Sequence, residues 1–203
     1  DLLQPTSTGE LRYCRSTGTS LESCQSAAIA PGTVPSSPMT LDINGDGYPD
    51  LVYATTAVRL HLHHQVPADV LVTVTDGLGA QSYFYYAALS DSRVHRVGTG
   101  SVFPVRDAVR PGFVVSQIIR AGTDGAQQQT YFYEGAKLHV QGRGFLGFAR
   151  RTASSTTAND VLVEEYLQDP AAVERIGAPA RVTRQQRSGE PLARTSYTWG
   201  RHA

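Results

Sequence analysis

The feature that most constrains this chain is an internal repeat. Residues 75–88 read TDGLGAQSYFYYAA and residues 123–136 read TDGAQQQTYFYEGA, an ungapped match at an offset of 48 with eight identities in fourteen. Each copy follows a run rich in β-branched residues (70–75 and 114–119), passes an Asp-Gly turn and enters an aromatic segment. The repeated unit is therefore predicted to be a β-hairpin. One hairpin buries little surface alone and gains a core by joining similar units, so two copies predict one extended antiparallel sheet.

The remaining periodicity agrees. Residues 58–63, 71–74 and 194–199 alternate with period two and are bounded by turn residues, which predicts strands. Ser188-Gly189-Glu190-Pro191 separates residues 181–187 from 192–199, so this end reads as a hairpin. A helical turn is expected only at residues 170–175, where Pro170 opens the run and Gly177 stops it. Residues 153–159 are small and polar and are expected to form a loop. With 19 Gly, 11 Pro and only 18% charged residues, the predicted class is all-β.

Length and charge bound the function. At 203 residues the chain suffices for one large domain or two small ones, and roughly 70% of its unfolded surface can be buried. Eighteen acidic and eighteen basic residues cancel, leaving no sequence-wide positive field, so nucleic-acid binding is not expected. No apolar run approaches the ~20 residues that span a bilayer, and no direct membrane insertion is expected. The chain opens on Asp1 and its only methionine is Met39, so a piece of a longer protein is expected, with any export signal outside it.

Cys14 and Cys24 are the only cysteines. If residues 11–24 form a hairpin turning at Gly18 and Thr19, the two lie within disulfide reach; a reduced, buried pair is the alternative.

The sharpest chemical motif is residues 42–50, DINGDGYPD, which fits D-x-[DN]-x-D-G-x-x-D. Ca²⁺ takes six to eight oxygens, and a loop wrapped around it can present the side chains of Asp42, Asn44 and Asp46, the Tyr48 carbonyl and then Asp50. Gly47 permits the sharp turn. An EF-hand needs Glu at loop position twelve and helices on both sides; here that position is Tyr53 and the flanks 39–41 and 51–54 read as strands. A β-hairpin calcium loop is expected, its ion structural, because three crowded carboxylates repel unless neutralised. A metal-free Gly/Asp-rich turn is the alternative.

Other motifs carry less. Residues 142–148, GRGFLGF, contain GxGxxG, but a dinucleotide fingerprint must leave a strand and open a helix, whereas Ala149-Arg150-Arg151 and a Ser/Thr-rich stretch follow. The expected structure is a bulged strand, with Phe145 or Phe148 packed against the aromatic hairpin at residues 131–133. His61, His63 and His64 have no neighbouring cysteine or carboxylate to complete a zinc site and read as a polar strand surface. The aromatic clusters 83–86 and 131–133 read as sheet packing rather than sugar or base stacking. There is no GxSxG motif and no Cys/His pair close in sequence, so no catalytic residue is assigned.

Two segments resemble known families. LDINGDGYPDLVY (41–53) resembles an FG-GAP/VCBS repeat, the calcium-loop hairpin of integrin-like β-propeller blades. TYFYEGAKLHVQGRGFLGFARR (130–151) resembles the SpvB and TcdB-type B component of bacterial toxin complexes, relatives of Rhs/YD-repeat proteins. The resemblance implies a propeller-type blade over residues 1–66 and hairpins of an Rhs-like β shell over 67–203. It implies a non-catalytic, secreted scaffold that helps enclose and deliver a toxic C-terminal domain. Its expected partners are the A and C components of the complex and the rest of its own chain. Tyr197-Thr198-Trp199-Gly200-Arg201 lacks the Asp of a YD repeat. An adhesion or carbohydrate-binding module of the integrin-like type is the competing expectation.

Overall fold

The structure is a computed structural model that describes residues 2–6, 8, 10–27, 36–54, 56–63, 67, 69–108, 112–122 and 125–200. His64, the Thr123-Asp124 turn and Arg201 lie outside the described residues. The chain divides into two compact units, residues 1–44 with 48–65, and residues 45–47 with 66–203.

The first unit holds two three-stranded antiparallel sheets. In one, β1 (Leu2–Pro5), β2 (Leu11–Cys14) and β3 (Gln25–Ala27) lie in the order β1-β2-β3. The central strand places Leu11 and Cys14 at 0% exposure. Tyr13 pairs with Gln25, so Cys14 and Cys24 face each other at the next step, and they form a disulfide with a Cα separation of 4.1 Å. The turn runs through Gly18 at φ 87°, a backbone conformation that is strained for a residue with a side chain. In the other sheet, β4 (Ser36–Leu41), β5 (Asp50–Ala54) and β6 (Val58–His61) lie in the order β4-β5-β6. Leu41 pairs with Asp50, so the ladder closes at both ends of the 42–49 loop. No propeller is identified among the described residues.

The second unit is built on a nine-stranded sheet. Its strands are β7 (Thr73–Thr75), β8 (Gln81–Ala88), β9 (His95–Arg96), β11 (Phe113–Gly122), β12 (Gly125–Glu134), β15 (Arg150–Ser155), β16 (Asp160–Tyr166), β17 (Pro179–Gln186) and β18 (Pro191–Ser196). The order is β18-β17-β16-β15-β12-β11-β8-β7, with β9 added parallel to the end of β12. Both copies of the repeat are antiparallel hairpins of this sheet, β7–β8 and β11–β12, and they are adjacent because β8 pairs with β11. The first turn is organised by Asp76, whose Oδ1 accepts the N–H groups of Leu78 and Ala80 at 2.8 and 2.9 Å. Between the copies the chain makes an excursion through β9 and β10 (Val105–Asp107), and the Leu89 N–H donates to the Gly112 carbonyl at 2.9 Å where it returns. A smaller sheet of order β10-β13-β14 uses β13 (Lys137–His139) and β14 (Gly144–Gly147).

Several expectations need correction. Residues 153–155 belong to β15 and only 156–159 form the turn. Ala153 pairs with Tyr131 and is 3% exposed, so its small side chain fits a crowded strand interior instead of marking a loop. The strand expected at 71–74 begins at Thr73, those expected to reach His63 and Trp199 end at His61 and Ser196, and Tyr197 keeps one backbone bond to Ala180. The helical turn at Pro170–Arg175 is present as a kinked 3-10 segment, with Gly177 at φ 86° after it.

Candidate functional site

Residues 43–48 form a continuous bend, with Gly45 and Gly47 at φ 71° and 90°. Asp50, first residue of β5, is 0% exposed. Its Oδ2 accepts the Ile43 N–H and its Oδ1 the His63 N–H, each at 2.9 Å. Burial pushes this carboxyl's pKa up, but the N–H groups of His63, Ile43 and Asn44 together outweigh it and leave the group below the ordinary carboxylate range. The Tyr48 ring lies against the His63 ring with centroids 5.3 Å apart. Asp42, Asn44, Asp46 and Tyr48 each have an interaction partner in the structure.

Three carboxylates, an amide and a backbone carbonyl make a donor set of the kind a hard cation takes. Among the described residues, however, no group of three or more His, Cys, Asp or Glu side chains stands where it could hold a metal ion. His61 is exposed on β6, and what His63 contributes to Asp50 is its backbone N–H.

The glycine-rich segment serves the sheet. β13 turns through residues 140–143 into β14, and the register shifts between Lys137 and Leu138, which face Gly147 and Phe145. This is the expected bulge, and what begins at Gly144 is a strand. Gly142, Gly144 and Gly147 all have positive φ, which the bulge and turn require. Phe148 then packs on Tyr133 at a centroid distance of 4.7 Å, on Phe145 at 5.4 Å and edge-on to His95 at 5.9 Å. Tyr133 donates its hydroxyl to the Val115 carbonyl at 2.9 Å, and burial pushes its pKa up to about 12. The exposed tyrosines Tyr83 and Tyr85 lie on β8.

Two polar constellations had no sequence signature. Lys137, largely buried, donates to Asp107 at 2.5 Å and to the Ser101 hydroxyl at 2.7 Å. A serine beside a lysine invites a nucleophilic reading, but the ammonium is held by a carboxylate that its own hydrogen bond keeps below the ordinary range. A charged ammonium has no lone pair to take the hydroxyl proton, so the cluster is a clamp tying β10 to β13. The second is a row of alternating charge. Glu134, Arg150, Glu165 and Arg181 are successive cross-strand partners on β12, β15, β16 and β17. Glu134 pairs with Arg150 at 3.5 Å and with Arg96 of β9 at 3.2 Å, and Glu165 pairs with Arg181 at 3.4 Å. No periodicity rule flags such a row, because each member is an ordinary charged residue until register aligns them.

The charged side chains at the centre of the long antiparallel sheet pair across its strands. Residues 12–171 match the insecticide toxin TcdB middle/N-terminal region, and the chain belongs to that family. It is thus part of a TcdB-type protein of an insecticidal toxin complex, from a structural region and not the catalytic domain. No curated protein matches the chain.

Proposed function

We propose that this chain is a scaffold segment of the toxin's B component, helping to enclose and deliver a toxic C-terminal domain. In this reading residues 67–203 form part of an Rhs-like β shell and residues 1–66 a propeller-type blade. The observation that carries it is the open nine-stranded sheet. Its terminal strands β7 and β18 are exposed at every residue, and few of its apolar side chains, chiefly Tyr133, Ala153 and Val163, are buried. A sheet so sparsely covered gains stability by continuing into further strands of its own chain. Membership in a toxin complex supports assembly with the A and C components, and toxin function supports export.

The test is protease protection in the parent protein. The C-terminal domain should resist digestion in the wild type and become sensitive in Val163→Asp, which puts a carboxylate at a buried position of β16. Equal digestion of both proteins would remove the enclosing role.

The 42–50 loop is proposed to take one structural Ca²⁺ through Asp42, Asn44, Asp46, the Tyr48 carbonyl and Asp50. Support comes from alternate oxygen residues with glycines at the bend. When bound, the ion would offset the negative charge of the loop's carboxylates. Calorimetry should show a higher melting temperature with Ca²⁺ than with chelator, and a smaller difference in Asp46→Ala. Identical melting under both conditions would leave the loop as a metal-free turn.

A further inference from the structure

The excursion between the repeats and the β13–β14 turn meet at one end of the small sheet. The Val105 N–H donates to the Val102 carbonyl at 2.9 Å and the Val140 N–H to the Pro104 carbonyl at 3.0 Å, so two turns are bonded into a single tip. Val102 and Phe103 are 63% and 66% exposed, and Val140 and Phe145 are 42% and 38% exposed. Side chains two-thirds exposed project from a surface and do not line a recess. Arg106, Leu138 and Phe145 are cross-strand neighbours, so Arg106 shares a face with Phe145. Arg143 is exposed in the turn.

Charge separates this patch from a random apolar one. Residues 97–106 and 138–148 contain two arginines and no Asp or Glu, in a chain with equal numbers of acids and bases. Seven other arginines of the second unit, Arg93, Arg96, Arg150, Arg151, Arg175, Arg181 and Arg184, are in ion pairs, whereas Arg106 and Arg143, like Arg120, Arg187 and Arg194, are in none among the described residues. A projecting apolar tip with two uncompensated cations complements a phase that offers negative charge at its surface and hydrocarbon just below.

We propose that this tip adsorbs to an anionic lipid surface, with Phe103 and Val102 entering the headgroup region and Arg106 and Arg143 on lipid phosphates and carboxylates. Adsorption of this kind is peripheral and needs no span. The bilayer is preferred over a protein groove because it accepts a convex tip without shape matching.

The test is co-sedimentation of the parent toxin protein containing this chain with vesicles of phosphatidylcholine containing one-third phosphatidylserine, against pure phosphatidylcholine. The protein should bind the anionic vesicles about tenfold more strongly, and high salt should abolish the difference. The double substitution Arg106→Glu with Arg143→Glu should remove the preference for anionic lipid, and Val102→Ser with Phe103→Ser should weaken binding to those vesicles. All four positions are exposed, and circular dichroism checks that the fold survives. Equal binding to both compositions, or none, overturns the proposal. A tip that ignores vesicles but gains hydrogen-exchange protection when the parent toxin assembles belongs to a protein neighbour, which also overturns it.

Discussion

Asp50 ties together segments that the sequence keeps apart. One oxygen holds Ile43 at the start of the loop and the other holds His63 beyond β6. Asp50→Asn would replace one acceptor oxygen with an amide NH2 group facing a backbone N–H, leaving a buried donor unsatisfied. The expected loss is about 1–3 kcal/mol, measured by urea denaturation. The pH dependence follows from the lowered carboxyl. A group whose folded pKa lies below its unfolded one contributes stability above the unfolded value and loses it as pH falls through the folded value. Acid should therefore destabilise the wild type more than Asp50→Asn below about pH 4, and parallel acid melting curves for the two proteins would contradict this role. The motif exposed the loop and its glycines, but Asp50's bond to His63 depends on β5 pairing with β6, thirteen residues away in sequence.

Among the elements, the hairpins were legible because period two and Asp-Gly turns act over a few residues. The GRGFLGF bulge was legible because no helical face follows its glycines. What escaped depends on distant neighbours. β9 has two residues and no period of its own, and it exists because the Tyr133 N–H donates to Val94 and the Gly135 N–H to Arg96. Residues 153–155 look like loop until Tyr131 is placed opposite Ala153. The row of alternating charge is likewise a product of register. Arg150→Glu would set a third carboxylate between Glu134 and Glu165. Because these side chains are partly solvated, the expected cost is about 1 kcal/mol, shrinking in high salt. A denaturation midpoint that does not move at low salt would show that the row does not help hold the register.

At the scale of the molecule, the two units can be probed apart. The single tryptophan, Trp199, lies in the second unit, where its indole N–H donates to the Pro179 carbonyl at 2.8 Å. The disulfide lies in the first. Reductant should lower the stability of the first unit by about 2–3 kcal/mol, as expected for a short loop. In urea, far-UV circular dichroism should then show an earlier component while tryptophan emission keeps its midpoint. A shift of both signals together would mean that the units unfold as one.

The excursion between the two repeated hairpins has a consequence for how such a chain can change. It leaves β8 and rejoins β11 at points one hydrogen bond apart, Leu89 to Gly112, while the flanking strands pair directly. Its ends are thus pinned by the sheet whatever lies between them, and loop-closure entropy grows only slowly with added length. Between β9, held by β12, and β10, held by β13, residues 97–104 form a cassette: a lineage could lengthen, shorten or re-letter them, and with them Val102 and Phe103, while the pairing of the two repeated hairpins stays untouched.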